Sequence, residues 1–303
     1  MNTQRDAWLE LRRKGIGGSD AAAALGQSRH KTSFQLYQEK TDDTFDIVVS
    51  SEHAERMRFG QRMEAVIADE YAERYGVKLR RHNRIAHHPR YGFMLANYDR
   101  TIDGRREGLE AKNVDALSYR FGEWGEPGSD MIPPEYMLQC AHYLSVSGYD
   151  VWHLAACIGG NRLEVYHVER DAEMIELIEE GEATFWKHIE RKEAPSLDYQ
   201  HASAIPLLKR MYSGTNGATI KLPAEAVALH FSKLDFDEQE KLMHAGSEAA
   251  RARLLHMMGN ASIGLLPNGG SYRRKIVERK GYEVEPVEYV DFRYSKKGGH
   301  GDE

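Results

Sequence analysis

The residues best suited to chemistry lie in ANYDRTIDGRREGLEAKNV, residues 96–114. Read as a strand, EGLEAKNV (107–114) puts Glu110 and Lys112 on one face, because side chains two apart point the same way. Asp99 ends the preceding predicted strand, GFMLANYD (92–99). A turn containing Asp103-Gly104 lets the chain fold back so that Asp99 meets Glu110. Two carboxylates at one point repel unless a cation joins them, and oxygen ligands of this kind suit Mg²⁺ or Mn²⁺. A lysine beside them can polarise or deprotonate a water held there, and the combination serves in-line attack on a phosphodiester. Alternating acids and bases also describe the solvated face of an edge strand. The spacing alone leaves both readings open.

A second stretch, GIGGSDAAAALG (15–26), reads as a glycine-rich turn feeding a helix, with Ser19 or Asp20 as N-cap for Ala21–Leu25. Helix N-termini attract anions. No Gly-Lys-Ser/Thr follows these glycines and no clear strand precedes them, which argues against a nucleotide-binding loop. Ser19-Asp20 does not sit in a GxSxG elbow, so a hydrolase triad is set aside. His87-His88 lacks a third neighbouring ligand for zinc.

The elements that must position these residues follow from periodicity. A helix is expected over 6–14, another over 32–41, and a long amphipathic one through Met57, Gly60, Glu64, Ile67, Ala68 and Tyr71, stopping near Tyr75-Gly76. Strands follow over 77–88, 92–99 and 107–114. Then come a helix over 133–148, with Pro134 in its first turn and Gly148 as C-cap, a hairpin over 150–171 turning at Gly-Gly-Asn, and a helix over 172–192. This order predicts an α/β fold, a mixed sheet flanked by helices. EAPSLDYQHASAIP (193–206) reads as a linker between a domain of residues 1–195 and an accessory region of residues 196–303. That region is helical over 224–258, then strand-like and basic, with Arg273, Arg274, Lys275, Arg279 and Lys280.

The bulk numbers bound the class. At 303 residues with 41% hydrophobic and 29% charged content, the chain fits a globular protein of one large or two ordinary domains. Two cysteines, Cys140 and Cys157, with no CxxC pair argue against a disulfide framework, a cysteine-rich zinc site or a four-cysteine iron–sulfur cluster. No run of about 18 apolar residues predicts a membrane span. The start, MNTQRDAWLELRRKG, has no apolar signal-peptide core, so a cytoplasmic protein is expected. A net charge of −6 does not point to nucleic acid, but an acidic metal site inside a basic groove would cancel in that sum.

Asp99 followed by Glu110-Ala111-Lys112 resembles the PD-(D/E)XK nuclease signature, with Tyr98 where that name has Pro. WLELRRKGIGGSDAAAALG and RFGQRMEAVIADEY upstream are similar to the YqaJ-type viral recombinase group, the family that includes bacteriophage lambda exonuclease. Trp8, Arg12, Gly60, Glu64, Asp99, Glu110 and Lys112 stand in that family's order, and the resemblance covers about residues 5–190. It implies a PD-(D/E)XK restriction-endonuclease-like core and a Mg²⁺-dependent exonuclease degrading linear double-stranded DNA, 5′ to 3′, in phage-type recombination. The same chemistry would also serve an endonuclease or a RecB-type repair nuclease, and a non-catalytic DNA-binding protein is the reading from another class.

By position the resemblance makes Asp99, Glu110 and the Ala111 carbonyl ligands of two ions (Mn²⁺ substituting), with Glu64 beside the second. Lys112 would assist the attacking water, and Gln139 would belong to the site rather than face solvent. Arg12 and Ser19 would bind a DNA 5′-phosphate; Trp124, expected as an exposed loop aromatic, and Arg273, Arg274 and Lys275 are possible DNA contacts. A ring-shaped homo-oligomer, most often a trimer, acting at DNA ends with a single-strand annealing protein, and no membrane, is also implied.

Overall fold

The computed structural model describes residues 13–42, 45, 51–82 and 84–276. The helix expected over 6–14 lies almost wholly outside them, as do Arg12, Arg279 and Lys280. The chain divides into two compact units, Met1–Met211 and Tyr212–Glu303.

The first unit opens with β1 (Ile16–Gly17), α1 (Gly18–Ala24), α2 (Ser33–Thr41) and α3 (Ser51–Tyr75). The strands β2 (Leu79–Arg80), β3 (Ala86–His87), β4 (Met94–Ala96), β5 (Arg100–Ile102) and β6 (Glu107–Val114) follow. It closes with α4 (Ala116–Phe121), α5 (Pro134–Ser147), β7 (Val151–Ile158), β8 (Arg162–Glu169), α6 (Ala172–Arg191) and α7 (Ala204–Met211). Five strands form one sheet in the order β2–β5–β6–β7–β8, parallel between β6 and β7 and antiparallel elsewhere. The parallel pair needs a crossover, which α4 and α5 supply. β4 lies between β1 and β3 in a second, three-stranded sheet.

Alternation along the strands sorts side chains between two helical layers. Leu109 and Ala111 of β6 and Ala155 and Cys157 of β7 pack against Ile67, Ala68 and Tyr71 of α3. Trp152 and Leu154 of β7 with Tyr166 of β8 pack against Leu138, Tyr143 and Leu144 of α5, behind which lies Ile178 of α6. The expected mixed sheet with helices on its faces is therefore present. Local chemistry fixes the ends: Gly148 caps α5 at φ 65°, and Gly159 and Gly160 turn the hairpin at φ 59° and 82°, values that only glycine adopts readily.

The structure corrects several expectations. The segment 77–88 is not one strand but β2 and β3, which pair in different sheets. The strand over 92–99 shortens to Met94–Ala96, because the chain crosses there from the small sheet to the large one, leaving Asp99 in the bend before β5. Helix α1 begins at Gly18 with Gly17 as N-cap and no side-chain cap. Ser19 is exposed in the first turn, and the buried Asp20 carboxylate binds the ammonium groups of Lys31 and Lys40 at 2.9 and 2.8 Å instead of capping. The first unit also continues past residue 195 through α7, whose Ala204 and Leu207 are buried, while His201 Nε2 bonds the Ser28 carbonyl at 2.9 Å.

The second unit contains α8 (Glu225–Met258) and the antiparallel pair β9 (Ile263–Leu265) and β10 (Ser271–Arg273). The helix is placed as expected, yet no residue of α8 is buried.

The glycine stretch works by close approach. A Cβ on Gly15 would meet the Phe93 carbonyl and the Leu95 side chain, and one on Gly18 would stand 2.5 Å from the Tyr143 ring. Gly60 of α3, by contrast, has nothing within 4 Å of its Cβ position. Gly18→Ala is therefore expected to destabilise by about 1–3 kcal/mol through overpacking. Gly60→Ala should stabilise by about 0.5–1 kcal/mol through helix propensity. Urea midpoints of the two variants check this, and a neutral Gly18→Ala would contradict the packing account.

Candidate active site

The register of β5 on β6 pairs Arg100 with Leu109 and Thr101 with Gly108, so Asp99 stands next in line opposite Glu110. Asp99 Oδ2 accepts the Ala111 amide proton at 2.9 Å, which ties the bend to the strand. Glu110 points to the α5 side of β6 and is 4% exposed. Its Oε1 accepts from Gln139 Nε2 at 2.6 Å and pairs with Lys112 Nζ, also at 2.6 Å. Its Oε2 is buried and has no hydrogen-bond partner. Gln139 Nε2 also reaches the Tyr143 hydroxyl at 2.9 Å.

Gln139 is thus buried and in the site, not a solvent-facing helix residue. One turn of α5 separates Gln139 from Tyr143, so both point at β6. Lys112 Nζ lies 5.4 Å from the centre of the Tyr136 ring, a cation–π contact that covers the ammonium on one side. From the opposite layer, half-buried Glu64 of α3 comes within electrostatic range of Asp99 and Lys112.

The charges perturb one another. Burial pushes the Glu110 carboxyl up to about 8, with the Asp99 charge adding and Lys112 opposing. Glu64 is raised by burial and then by Asp99, against Lys112, Arg100 and Arg81. Burial would lower the Lys112 ammonium, but the Glu110 charge and hydrogen bond, helped by Asp99, outweigh it and hold the proton on Nζ. Tyr143 is lifted well above its ordinary value by burial and by Glu110 and Asp99, so it stays protonated.

These residues fit a hard divalent cation. The donors are carboxylate oxygens, and the partnerless Glu110 Oε2 is the kind of buried acceptor that an ion would satisfy. Among the described residues no group of three or more His, Cys, Asp or Glu is arranged as a metal cluster, so main-chain oxygen and water must complete any coordination at the Asp99–Glu110 pair.

Ser19 is exposed near the start of α1, and Arg12 is outside the described residues. Trp124 is half-buried rather than exposed, because its ring packs against Tyr119, Tyr136 and Tyr166 at 5.2–5.6 Å. Through Tyr136 it backs the residue that covers Lys112. Arg273, Arg274 and Lys275 are exposed in the second unit, where the Arg274 guanidinium bonds the Gly259 carbonyl. Sequence reading did not single out Tyr143, Tyr136 or His142. For Tyr143 the signal was its four-residue spacing from Gln139; for His142, which bonds the Leu95 carbonyl at 2.8 Å and Glu182 at 2.7 Å, there was none.

Residues 7–150 match the YqaJ-like viral recombinase domain, a span holding Glu64, Asp99, Glu110, Lys112 and Gln139. A Bacillus subtilis (strain 168) protein, the uncharacterized protein YqaJ, is 36% identical over 279 residues, covering 91% of this chain and 85% of that one. This chain belongs to the YqaJ-like viral recombinase family. Its fold is similar to that of an alkaline exonuclease from Laribacter hongkongensis, with a TM-score of 0.50 and 17% identity over 67% of this chain and 99% of the exonuclease. For this YqaJ-like chain that likeness is one of fold. No helix among the described residues is long and apolar enough to cross a membrane.

The raised carboxyl of Glu110 has a thermodynamic consequence in chelator. Because its folded value lies above the ordinary 4.5, the folded state binds the extra proton, and stability falls as pH rises from 4.5 to about 8. Glu110→Gln carries no such proton. Its urea midpoint should decline less than that of the parent over this window, and parallel profiles would contradict the burial argument.

Proposed function

We propose that this YqaJ-like chain is a metal-dependent deoxyribonuclease that digests linear double-stranded DNA from its ends, 5′ to 3′. The observation that carries the reading is the buried Glu110 carboxylate, with one oxygen held by Gln139 and Lys112 and the other left without a partner beside Asp99. Family membership and a fold shared with an alkaline exonuclease support it.

Mg²⁺, or Mn²⁺ in its place, would be held by Asp99, Glu110 and the Ala111 carbonyl, with Glu64 beside a second ion, and would supply charge neutralisation at the phosphodiester and a more acidic water. The chain's own groups do the rest. Gln139 fixes the Glu110 carboxylate, and Tyr143 fixes Gln139. Asp99 is oriented by the Ala111 amide. Lys112 holds its proton at Nζ beside the scissile phosphate, where it stabilises negative charge and orients the attacking water by donating a hydrogen bond to its oxygen.

Arg12 and Ser19 would receive the 5′-phosphate of a DNA end, a guanidinium and a hydroxyl being suited to a phosphate dianion. Trp124 would line the approach to Lys112, and Arg273, Arg274 and Lys275 would add phosphate contacts from the second unit. A cytoplasmic ring-shaped oligomer, a trimer, delivering single strands to an annealing protein completes the reading for recombination.

Digestion of linear duplex carrying 5′-phosphate or 5′-hydroxyl ends, with Mg²⁺ and with chelator, tests the proposal. Chelator should abolish cleavage, and Lys112→Ala should lower it by about 10²-fold or more. Cleavage that survives chelation, or full activity in Lys112→Ala, would overturn the mechanism. Equal cutting of closed circles would make the enzyme an endonuclease. Arg12→Ala should remove the preference for 5′-phosphorylated over 5′-hydroxyl ends while leaving basal cleavage measurable, and an unchanged preference would dismiss the end-sensing role.

A further inference from the structure

Helix α4 presents two large apolar side chains to water and buries none of its residues. Leu117 is 63% exposed and Phe121 is 77% exposed. They stand four residues apart and so share one face of the helix. Packing does not account for them. The helix is started by Asp115, whose carboxylate accepts from the Leu117 and Ser118 amides at 2.9 and 3.0 Å, and that cap asks for no apolar residue at either place.

Two features of this face say what it suits. The first is its cations. The Arg120 guanidinium lies 5.4 Å from the centre of the Phe121 ring, and that of Arg162, at the start of β8, lies 5.2 Å from the centre of the Tyr119 ring. Arg162 also reaches Glu164 at 3.3 Å, an exposed pair that a phosphate can replace. Of the neighbouring acids, Glu123 is paired with Arg29, and Asp115 is turned to its own helix. The second feature is position. Lys112 lies five residues before Leu117. Tyr119 packs on Trp124, Trp124 on Tyr136, and Tyr136 covers Lys112. The rise of strand and helix puts Phe121 within about 20 Å of Lys112.

We propose that the exposed face of α4 holds single-stranded DNA, with a base stacked on Phe121, its neighbour against Leu117, and Arg120 and Arg162 on the phosphates of the same strand. Open rings interleaved with arginines suit unpaired nucleotides, because every base has a face that can stack and every linkage a charge to meet. A duplex offers no base face here. Its bases cover one another, and it would bring only phosphates and groove edges to an apolar pair that can use neither. The inference rests on the nuclease reading and extends it: digesting one strand of a duplex leaves the complement unpaired beside the site, and α4 is the apolar, cationic surface that adjoins that site.

Fluorescence anisotropy of a labelled oligo(dT) with the full-length chain tests this, in chelator so that binding is read apart from cleavage. Phe121→Ala should weaken binding by about 10-fold and Phe121→Trp should restore it, as stacking on one ring requires. Arg120→Ala should reduce the slope of log affinity against log salt by about 0.7. Phe231→Ala, which removes another exposed ring in the second unit, should change neither. Phe121→Ala should bind a closed duplex hairpin as the parent does, with circular dichroism unchanged. Full oligo(dT) affinity in the double variant Leu117→Ala, Phe121→Ala would overturn the inference, and a lower sedimenting mass in that variant would then give the face to a contact between copies. An equal loss on the closed duplex would overturn it in favour of double-stranded DNA. The two readings fail separately: oligo(dT) binding lost in the variants while Mg²⁺ supports no digestion by the parent sinks only the nuclease, whereas intact digestion with unchanged oligo(dT) binding sinks only the role of α4.

Discussion

A carboxylate buried on a central strand constrains everything around it. Glu110 stands in β6 between β5 and β7, where water cannot solvate its charge, so each polar group it needs must come from the fold. Lys112 comes from the same strand, two residues on. Gln139 comes from α5, which the β6–β7 crossover must therefore deliver against this face. Asp99 comes from the bend before β5, which the β5–β6 hairpin must hold opposite. Both hydrogen-bonding partners meet at Oε1. Fixing one oxygen twice sets the orientation of the group, and the other oxygen is left directed and unpaired.

The same requirement explains why α5 is packed so closely. Trp152 lies across Gly108 of β6, where a Cβ would fall within its ring, and Tyr143 lies against Gly18 of α1. Glycines at these two places let the strand and the first helix approach the aromatic side chains that hold α5 in register. His142, fully buried on that helix, then bonds the Leu95 carbonyl of β4 on one side and Glu182 of α6 on the other. Helix α5 is thereby fixed to both sheets and to the helix behind it, and Gln139 inherits the precision of those contacts.

Much of this was legible in the residues, for identifiable reasons. Glu110 and Lys112 share a face because a strand has a two-residue period, and Asp99 returns to them because Asp103-Gly104 makes a turn, with Gly104 at φ 75°. Helix ends at Gly148 and the hairpin at Gly159-Gly160 were readable because glycine conformations are local. Where tertiary pairing decides, reading failed. Nothing local says that 77–88 divides between two sheets, or that Asp20 binds two lysines rather than capping α1. Gln139 looked like any polar helix residue without a family resemblance, since its burial depends on a glutamate 29 positions away.

Burial of an acid does not by itself mark a site, and this chain supplies its own comparison. Asp20, Glu110, Glu179 and Glu182 are the buried acids among the described residues. Asp20 is matched by two ammonium groups, and Glu179 by Arg90, His88 and Ser145. Glu182 is more like Glu110: its carboxyl is raised by burial, and its Oε2 lacks a partner. What separates them is access. Glu182 and its partner His142 are wholly enclosed, so no ligand can reach that oxygen. Glu110 is bordered by Lys112, whose side chain is 23% exposed, and by the half-buried Asp99 and Glu64. An enclosed pair can only brace the fold, whereas a fixed buried carboxylate bordered by a second acid and an ammonium that are themselves partly exposed can receive a cation and a phosphate. That difference in exposure is the physical reason the proposed nuclease reading assigns its chemistry to β6 rather than to the Glu182–His142 pair.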